Sequence, residues 1–464
     1  MRTQAALIGI GVMLAAALSA SAAGEPKVAA PQAASAAAVP DVLDVAPVWA
    51  GHPVRFALLT RGVHQFAAFY DADRQMTVAS RRTDEAAWHF VRLSTKVAWD
   101  SHNYIALTAD DEGLLHLAGN MHCVPLIYFR TEKPWDIDTF KRIPSMVGTE
   151  EKLCTYPVFL RGAAGELLFT YRDGRSGNGN QILNAYDPKT RTWRRMLDQP
   201  LFAGGGKMNA YFRGPVRGAD GWFHIVWVWR DTPDCATNHD LSYARSRDLV
   251  HWETSAGKPL TLPITLATGE IVDPVPPKGG IINGNTAIGF DTKGRVVLSY
   301  HKYDAAGHTQ IYNARLEDGG WKIYQASAWT SRWDFSGGGS IGFGVSVRPV
   351  AVDSQGRLVQ PYASKQEGNG TWLLDEATLK AVGAAPREPA AAAEPAVLKA
   401  LHKVTSDFPG LRVNWCEDAG RGDEKGVTYR LRWETLPSNR DRPQEPVPPP
   451  SMLRLVRVRA TQGG

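Results

Sequence analysis

Ala219-Asp220-Gly221-Trp222-Phe223-His224-Ile225-Val226-Trp227-Val228-Trp229-Arg230 is the stretch that decides the fold. A short polar turn ending in glycine leads into a run of apolar and aromatic residues with strand-like alternation. The pattern recurs along the chain. Asp110-Asp111-Glu112-Gly113, Ala163-Ala164-Gly165, Asp291-Thr292-Lys293-Gly294 and Asp353-Ser354-Gln355-Gly356 are the matching turns. Glycine suits a tight hairpin turn because the turn often needs a positive φ. Three positions after each glycine stand His116, Leu168, His224, Val297 and Val359, and six positions after it Gly119, Tyr171, Trp227, Tyr300 and Tyr362.

A repeat of this size, built mostly of strand, predicts an all-β chain folded as a β-propeller. Five units are clear, and Phe66–Trp88 reads as an earlier one, with Asp71 and Asp73 near its turn. Leu411–Trp415, Val427–Glu434 and Met452–Val458 alternate like strands and form a last blade closed by the N-terminal strand, for seven blades in all. Tyr243-Ala244-Arg245-Ser246-Arg247-Asp248-Leu249-Val250-His251-Trp252 has the look of a degenerate Asp-box.

The ends of the chain differ from its middle. Arg2, the apolar Ala5–Leu18 and the small residues Ser19–Ala23 predict a signal peptide over 1–23. An Ala/Pro-rich linker over 24–40 follows, then the propeller over 41–460, with an Ala/Pro-rich insertion over 385–396. The expected protein is secreted or periplasmic, free of the membrane after signal cleavage, and monomeric. Charged residues are 21% of the chain and the net charge is +5, with no long basic run, which argues against nucleic acid and suits an anionic substrate. Cys123, Cys154, Cys235 and Cys416 are too widely spaced for a small disulfide scaffold. An oxidising compartment permits one or two bridges, and burial as small apolar residues is the plainer reading.

The repeat also locates the chemistry. One face of a propeller gathers the starts of the innermost strands and the ends of the second strands. The starts fall near His102-Asn103, Tyr156, Tyr211–Arg213, Asn283–Asn285 and Ser346–Arg348; the ends fall near Asn120–His122, Arg172, Arg230 and His301–Tyr303. Polar and ionisable side chains therefore converge on one mouth of a rigid scaffold. His116 and His224 share a repeat position that other blades fill with Leu168, Val297 and Val359, so both read as structural. His102 and His122 have no such apolar counterparts.

Trp99-Asp100-Ser101-His102-Asn103, Tyr171-Arg172-Asp173-Gly174-Arg175-Ser176-Gly177, Arg230-Asp231-Thr232-Pro233 and Asn238-His239-Asp240-Leu241-Ser242-Tyr243-Ala244 resemble the BNR-4 propeller family over about Val42–Val458. That family includes ulvan lyases and related lyases and rhamnosidases that act near glucuronic acid. The resemblance implies that His102, His122, Tyr156 and Arg172 form the catalytic set, Tyr156 and Arg172 matching in their sixteen-residue spacing. Asn103, Tyr211, Arg213, Arg230 and Tyr303 are the expected substrate-binding residues. The implied reaction is β-elimination on an anionic, uronate-containing polysaccharide of the ulvan type.

Such a reaction needs a neutralised carboxylate, a base for the C5 proton and an acid for the departing O4. Arg172 suits the carboxylate, and His122 could polarise the carboxyl group or orient Tyr156. Base and acid stay open between His102 and Tyr156. No cofactor is required for the chemistry. Cys235, His239, His251 and His301 are ligand types for a structural zinc, and the resemblance allows a structural zinc or calcium ion. Rival expectations are a hydrolase such as an α-L-rhamnosidase of the same family and a non-catalytic sugar-binding propeller. A mouth rich in His, Tyr and Arg rather than paired carboxylates favours elimination.

Overall fold

The computed structural model describes residues 41–386 and 396–459. The signal peptide expected over 1–23, the linker over 24–40 and almost all of the insertion over 385–396 lie outside the described residues. The chain is all-β, as its repeat predicts: strands form seven sheets, and among the described residues the one α-helix is Ala396–Ala400. No helix there is long and apolar enough to cross a membrane.

Six sheets follow each other along the chain, each built mainly from consecutive antiparallel strands; Arg421–Gly422 joins the first in parallel and His122–Val124 joins the third. They begin with Ala57–Gly62, Ile105–Ala109, Cys154–Arg161, Asn209–Arg217, Ala287–Phe290 and Val345–Val347. The seventh joins the two ends of the described chain. Val42–Val48 pairs antiparallel with Ser451–Arg459, Val42 opposite Val456, and Val427–Thr435 and Arg412–Glu417 complete the sheet.

The hairpin turns explain why the repeat folds this way. Gly113, Gly165, Gly221, Gly294 and Gly356 all have φ between +74° and +87°, where a Cβ is unfavourable. Asp110, Asp291 and Asp353 each accept two backbone N–H bonds, from the residues two and four positions on, which closes the turn. Asp71 does the same for Asp73 and Gln75, which makes Phe66–Trp88 part of the same repeat, with Arg74 at φ +68° in the glycine place.

In the first five sheets the second strand is mostly buried and carries much of the core. Every residue of Phe223–Arg230 is buried, because sheets packed face to face cover both sides of a central strand. The largest apolar cluster draws Trp433, Leu453 and Leu455 from the last sheet against Phe56, Phe66, Phe69 and Leu117 from the first two. Phe56 stacks on Trp433 with ring centroids 4.5 Å apart.

The two structural histidines use one device. Trp193 donates to the Tyr128 hydroxyl, Tyr128 bonds His116 Nδ1 at 2.7 Å, and His116 Nε2 faces the turn carboxylate of Asp110 at 3.3 Å. His224 repeats it with Tyr243 at 2.7 Å and Asp220 at 3.5 Å. Burial lowers the pKa of both rings, so each is a neutral bridge between strands.

The four cysteines are free, with Cys154 and Cys235 buried. The bridges that an oxidising compartment would permit are not formed.

Candidate functional site

Three segments bring imidazoles and a phenol together. Ser101–Asn103 is one turn of 3₁₀ helix capped by Asp100, whose carboxylate accepts the backbone N–H of His102 at 2.8 Å. His122 opens a short strand, His122–Val124, that leaves the second sheet and pairs with Cys154–Arg161 of the third. Tyr156 sits in a bulge of that partner strand, between Thr155 and Val158, with φ +60°. Pro157 follows and has no N–H to give the ladder, so the strand bulges there. A non-glycine residue in the left-handed region stores strain of about 1–3 kcal/mol, a feature that clusters at functional sites.

Asp100 is the hub. Its Oδ1 accepts from His102 Nδ1 at 2.6 Å and its Oδ2 from His122 Nδ1 at 2.5 Å. The two rings stack with centroids 4.1 Å apart, and Tyr156 lies 5.6 Å from His102. With its Nδ1 committed to Asp100, His102 has its other ring nitrogen left for chemistry, while His122 is held by both Asp100 and the Cys123 side chain.

The cluster tunes its own protonation. Burial opposes charge on His102 and His122, yet their bonds to Asp100 raise both rings, His122 to about 9. Burial works against the Asp100 carboxylate too, but the two imidazoles hold it well below the usual range. Burial pushes the Tyr156 phenol up, against the opposing charges of Arg172 and Arg230, so it carries its proton at neutral pH.

Beside the cluster opens a cavity of about 550 Å³, lined by Ser101, Tyr156, Tyr211, Arg55, Arg172 and Arg213 among others. Among the described residues that line it there is no Asp or Glu, so its field favours an anionic ligand.

Arg172 differs from its expected form. It is only 1% exposed. Its terminal nitrogens donate to Tyr211, Thr155 and the Cys123 sulfur, and the guanidinium lies 5.0 Å from the Tyr156 ring centroid. It is a buried cation beneath two tyrosines rather than an open fork, because Thr155 stands directly opposite it in the ladder. Cys123 completes that corner. Burial would raise its thiol, but the His122 hydrogen bond and the Arg172 charge bring it down to about 7.

The remaining expected residues divide. Tyr211 packs edge-on against Tyr156, with centroids 6.1 Å apart. Arg213 bonds the Gly284 carbonyl at 2.6 Å at the cavity wall. Arg230 ties down the loop at Thr232 and Pro233 and lies over the Tyr211 ring. Asn103 is buried, its carbonyl taken by the Tyr70 hydroxyl. Tyr303 is not brought to this cavity. It lines a separate one with Lys278, Arg332 and Asp334, its ring 3.6 Å beneath the Arg332 guanidinium.

The expected metal ligands are not gathered either. His239 is spent between Asp231 and Asp240, His251 is exposed and paired with Asp248, and His301 is buried against Trp333 and Phe335. Among the described residues, the group of His, Cys, Asp and Glu whose ligand atoms approach one another is Asp100, His102 and His122. Two imidazoles and a carboxylate are zinc-type donors, but here both Nδ1 atoms already bond to Asp100.

Sequence reasoning missed Asp100, Asp441 and Cys123. Asp100 stood in view two residues before His102. Asp441, whose carboxylate lies 3.4 Å from His102 Nδ1, occupies no repeat position.

The family model for BNR repeat-containing family members matches residues 64–329. The chain belongs to this family. No curated protein matches the BNR-repeat chain. Among solved structures, the polysaccharide lyase Uly1 superposes with a TM-score of 0.55 at 14% identity, over 88% of this chain and 90% of its own. A PL25 ulvan lyase superposes at 0.57 and 11% identity, over 91% and 96%. The PL25 ulvan lyase bound to -[GlcA(1-4)Rha3S]- gives 0.56 at the same identity and coverage. At such identities the BNR-repeat protein shares a fold with these enzymes.

Proposed function

We propose that this BNR-repeat protein is an exported, monomeric polysaccharide lyase that cleaves a uronate-containing, ulvan-like polymer by β-elimination, leaving an unsaturated uronate. In this reading the seven sheets are blades of one closed propeller spanning 41–460, and the cavity is its mouth. The observation that carries the proposal is Asp100 holding both His102 and His122 by Nδ1 beside Tyr156, at the edge of a cavity with three arginines and no acid.

The roles follow from protonation. His122, charged below about pH 9, meets the uronate carboxylate and makes the C5 proton acidic. His102 in its neutral form takes that proton through its free ring nitrogen, and Asp100 stabilises the resulting imidazolium. Tyr156, protonated, gives its proton to O4 as the C4–O4 bond breaks and the C4=C5 bond forms. Arg172 supplies a fixed buried charge under Tyr156 and Tyr211.

A carboxylate-based hydrolase is less well supported. It needs one protonated acid, whereas the imidazoles hold both Asp100 and Asp441 well below the usual range.

The test is to incubate the mature protein with ulvan and other uronate polymers and follow ultraviolet absorbance. Unsaturated product is expected, and Tyr156→Phe and His102→Ala should each abolish most of it without unfolding the protein. A saturated sugar product would establish a hydrolase, and binding without product a lectin.

A further inference from the structure

Asp441 comes from the far end of the chain, yet it touches the proposed base. It stands in the loop that follows Val427–Thr435, and that loop is pinned along its length. Leu436 N–H donates to the Ala50 carbonyl at 2.9 Å, and Arg440 N–H to the Ser340 carbonyl at 3.0 Å. Arg440 and Asp441 both take left-handed φ, +52° and +59°. Two consecutive non-glycine residues in that region cost free energy and persist only when surrounding contacts impose them.

Those contacts converge on the Asp441 carboxylate. Its Oδ2 accepts the Ser340 N–H at 2.9 Å and faces His102 Nδ1 at 3.4 Å. Its Oδ1 accepts the Ser101 N–H at 3.3 Å, 340 positions away, and faces Nε2 of His52 at 3.5 Å. The Ser101 and Ser340 hydroxyls also bond each other. The carboxylate is 12% exposed and His52 is fully covered. One side chain therefore joins four segments at the back of the His102 ring.

We propose that Asp441 is a positioning residue for His102: the 436–450 loop carries a second carboxylate to its Nδ1 edge, fixing the ring's orientation and tautomer so that the opposite nitrogen is left free as the base. This rests on the proposed role of His102 as base. The groups that face His102 are Asp100 on its own turn, Asp441 on the loop, His122 on the crossing strand and Tyr156 on the third sheet, with His52 behind Asp441. Removing the Asp441 charge leaves Asp100 as the one carboxylate there, so the ring swings more freely and holds its proton less tightly.

The experiment compares wild type, Asp441→Asn and Asp441→Glu. It reads kcat and KM on the uronate polymer across pH, thermal unfolding, and the His102 ring titration by NMR, assigned with His102→Gln. Asp441→Asn should lower kcat roughly tenfold or more, with KM little changed. The acid limb of the rate profile and the His102 titration should both move to lower pH, and Asp441→Glu should recover part of each. A kcat loss that only tracks unfolding, with His102 titrating as in wild type, would overturn the proposal; so would an unchanged kcat. The NMR readout needs no turnover. A shifted titration in a protein that cleaves no uronate polymer would uphold the Asp441 coupling and reject the lyase reading.

Discussion

Oδ1 of Asp100 lies 2.6 Å from Nδ1 of His102, while its other oxygen holds His122. One carboxylate thus orients two stacked imidazoles. An amide has a single acceptor oxygen, so Asp100→Asn can hold only one ring and turns an N–H toward the other. Initial rates on a uronate polymer should fall by about 100-fold or more, while thermal unfolding shifts by only a few degrees. A loss shared equally by stability and rate would mean that Asp100 is merely a helix cap.

The rate should depend on pH as a bell. In the proposed lyase mechanism turnover needs His102 neutral, and its pKa lies above the ordinary imidazole value, so the acid limb should sit higher than for a free histidine. It also needs His122 charged, so the basic limb should fall near pH 9. Stability carries the same sign. The His122 pKa is raised on folding, so its contribution is complete below the unfolded value of about 6.5 and disappears as pH rises through about 9. Denaturant midpoints at about pH 6, 8 and 10 should show that decline, and His122→Gln should flatten it.

Cys123 should be the most reactive thiol. The Arg172 guanidinium and His122 bring it down to about 7, whereas burial raises Cys154, Cys235 and Cys416. The thiolate is the nucleophile, so iodoacetamide at neutral pH should label Cys123 first. The adduct would break the Arg172 contact of 3.3 Å beneath Tyr156, and activity should fall in step with labelling followed by mass spectrometry. A polymer that fills the cavity should slow both.

The repeat made the scaffold legible because six sheets solve the same hairpin problem with a left-handed residue at one place in the turn, a glycine in five of them. It also separated His116 and His224 from His102 and His122, since a position filled by Leu168 or Val297 elsewhere is a packing position. Reading stopped where the repeat did. Asp441 reaches His102 through a loop with no counterpart in other sheets, and nothing local in Asn439-Arg440-Asp441 announces it. Arg172 was found, but its burial depended on Thr155 across the ladder, which spacing does not report. Tyr303 and the four expected metal ligands failed for a related reason. Being at strand ends on neighbouring units does not make side chains meet: His239, His251 and Tyr303 found nearer partners in Asp231, Asp248 and Arg332, His301 packs against Trp333, and Cys235 is a buried free thiol.

His116→Ala tests the structural half of that reading. The ring is fully buried and bridges Tyr128 to Asp110. Its removal opens a cavity among Phe159, Tyr186 and Trp193, whose rings lie within 6.1 Å of it, and strands a hydroxyl and a carboxylate. Lost packing and unsatisfied polar groups together should destabilise the protein by about 3 kcal/mol, read as a lower midpoint in urea. The folded fraction should keep near-normal kcat, because His116 lies within the second sheet's packing and not on the cavity. A variant that stays stable but loses turnover would place His116 in the chemistry and undo the distinction between the two pairs of histidines.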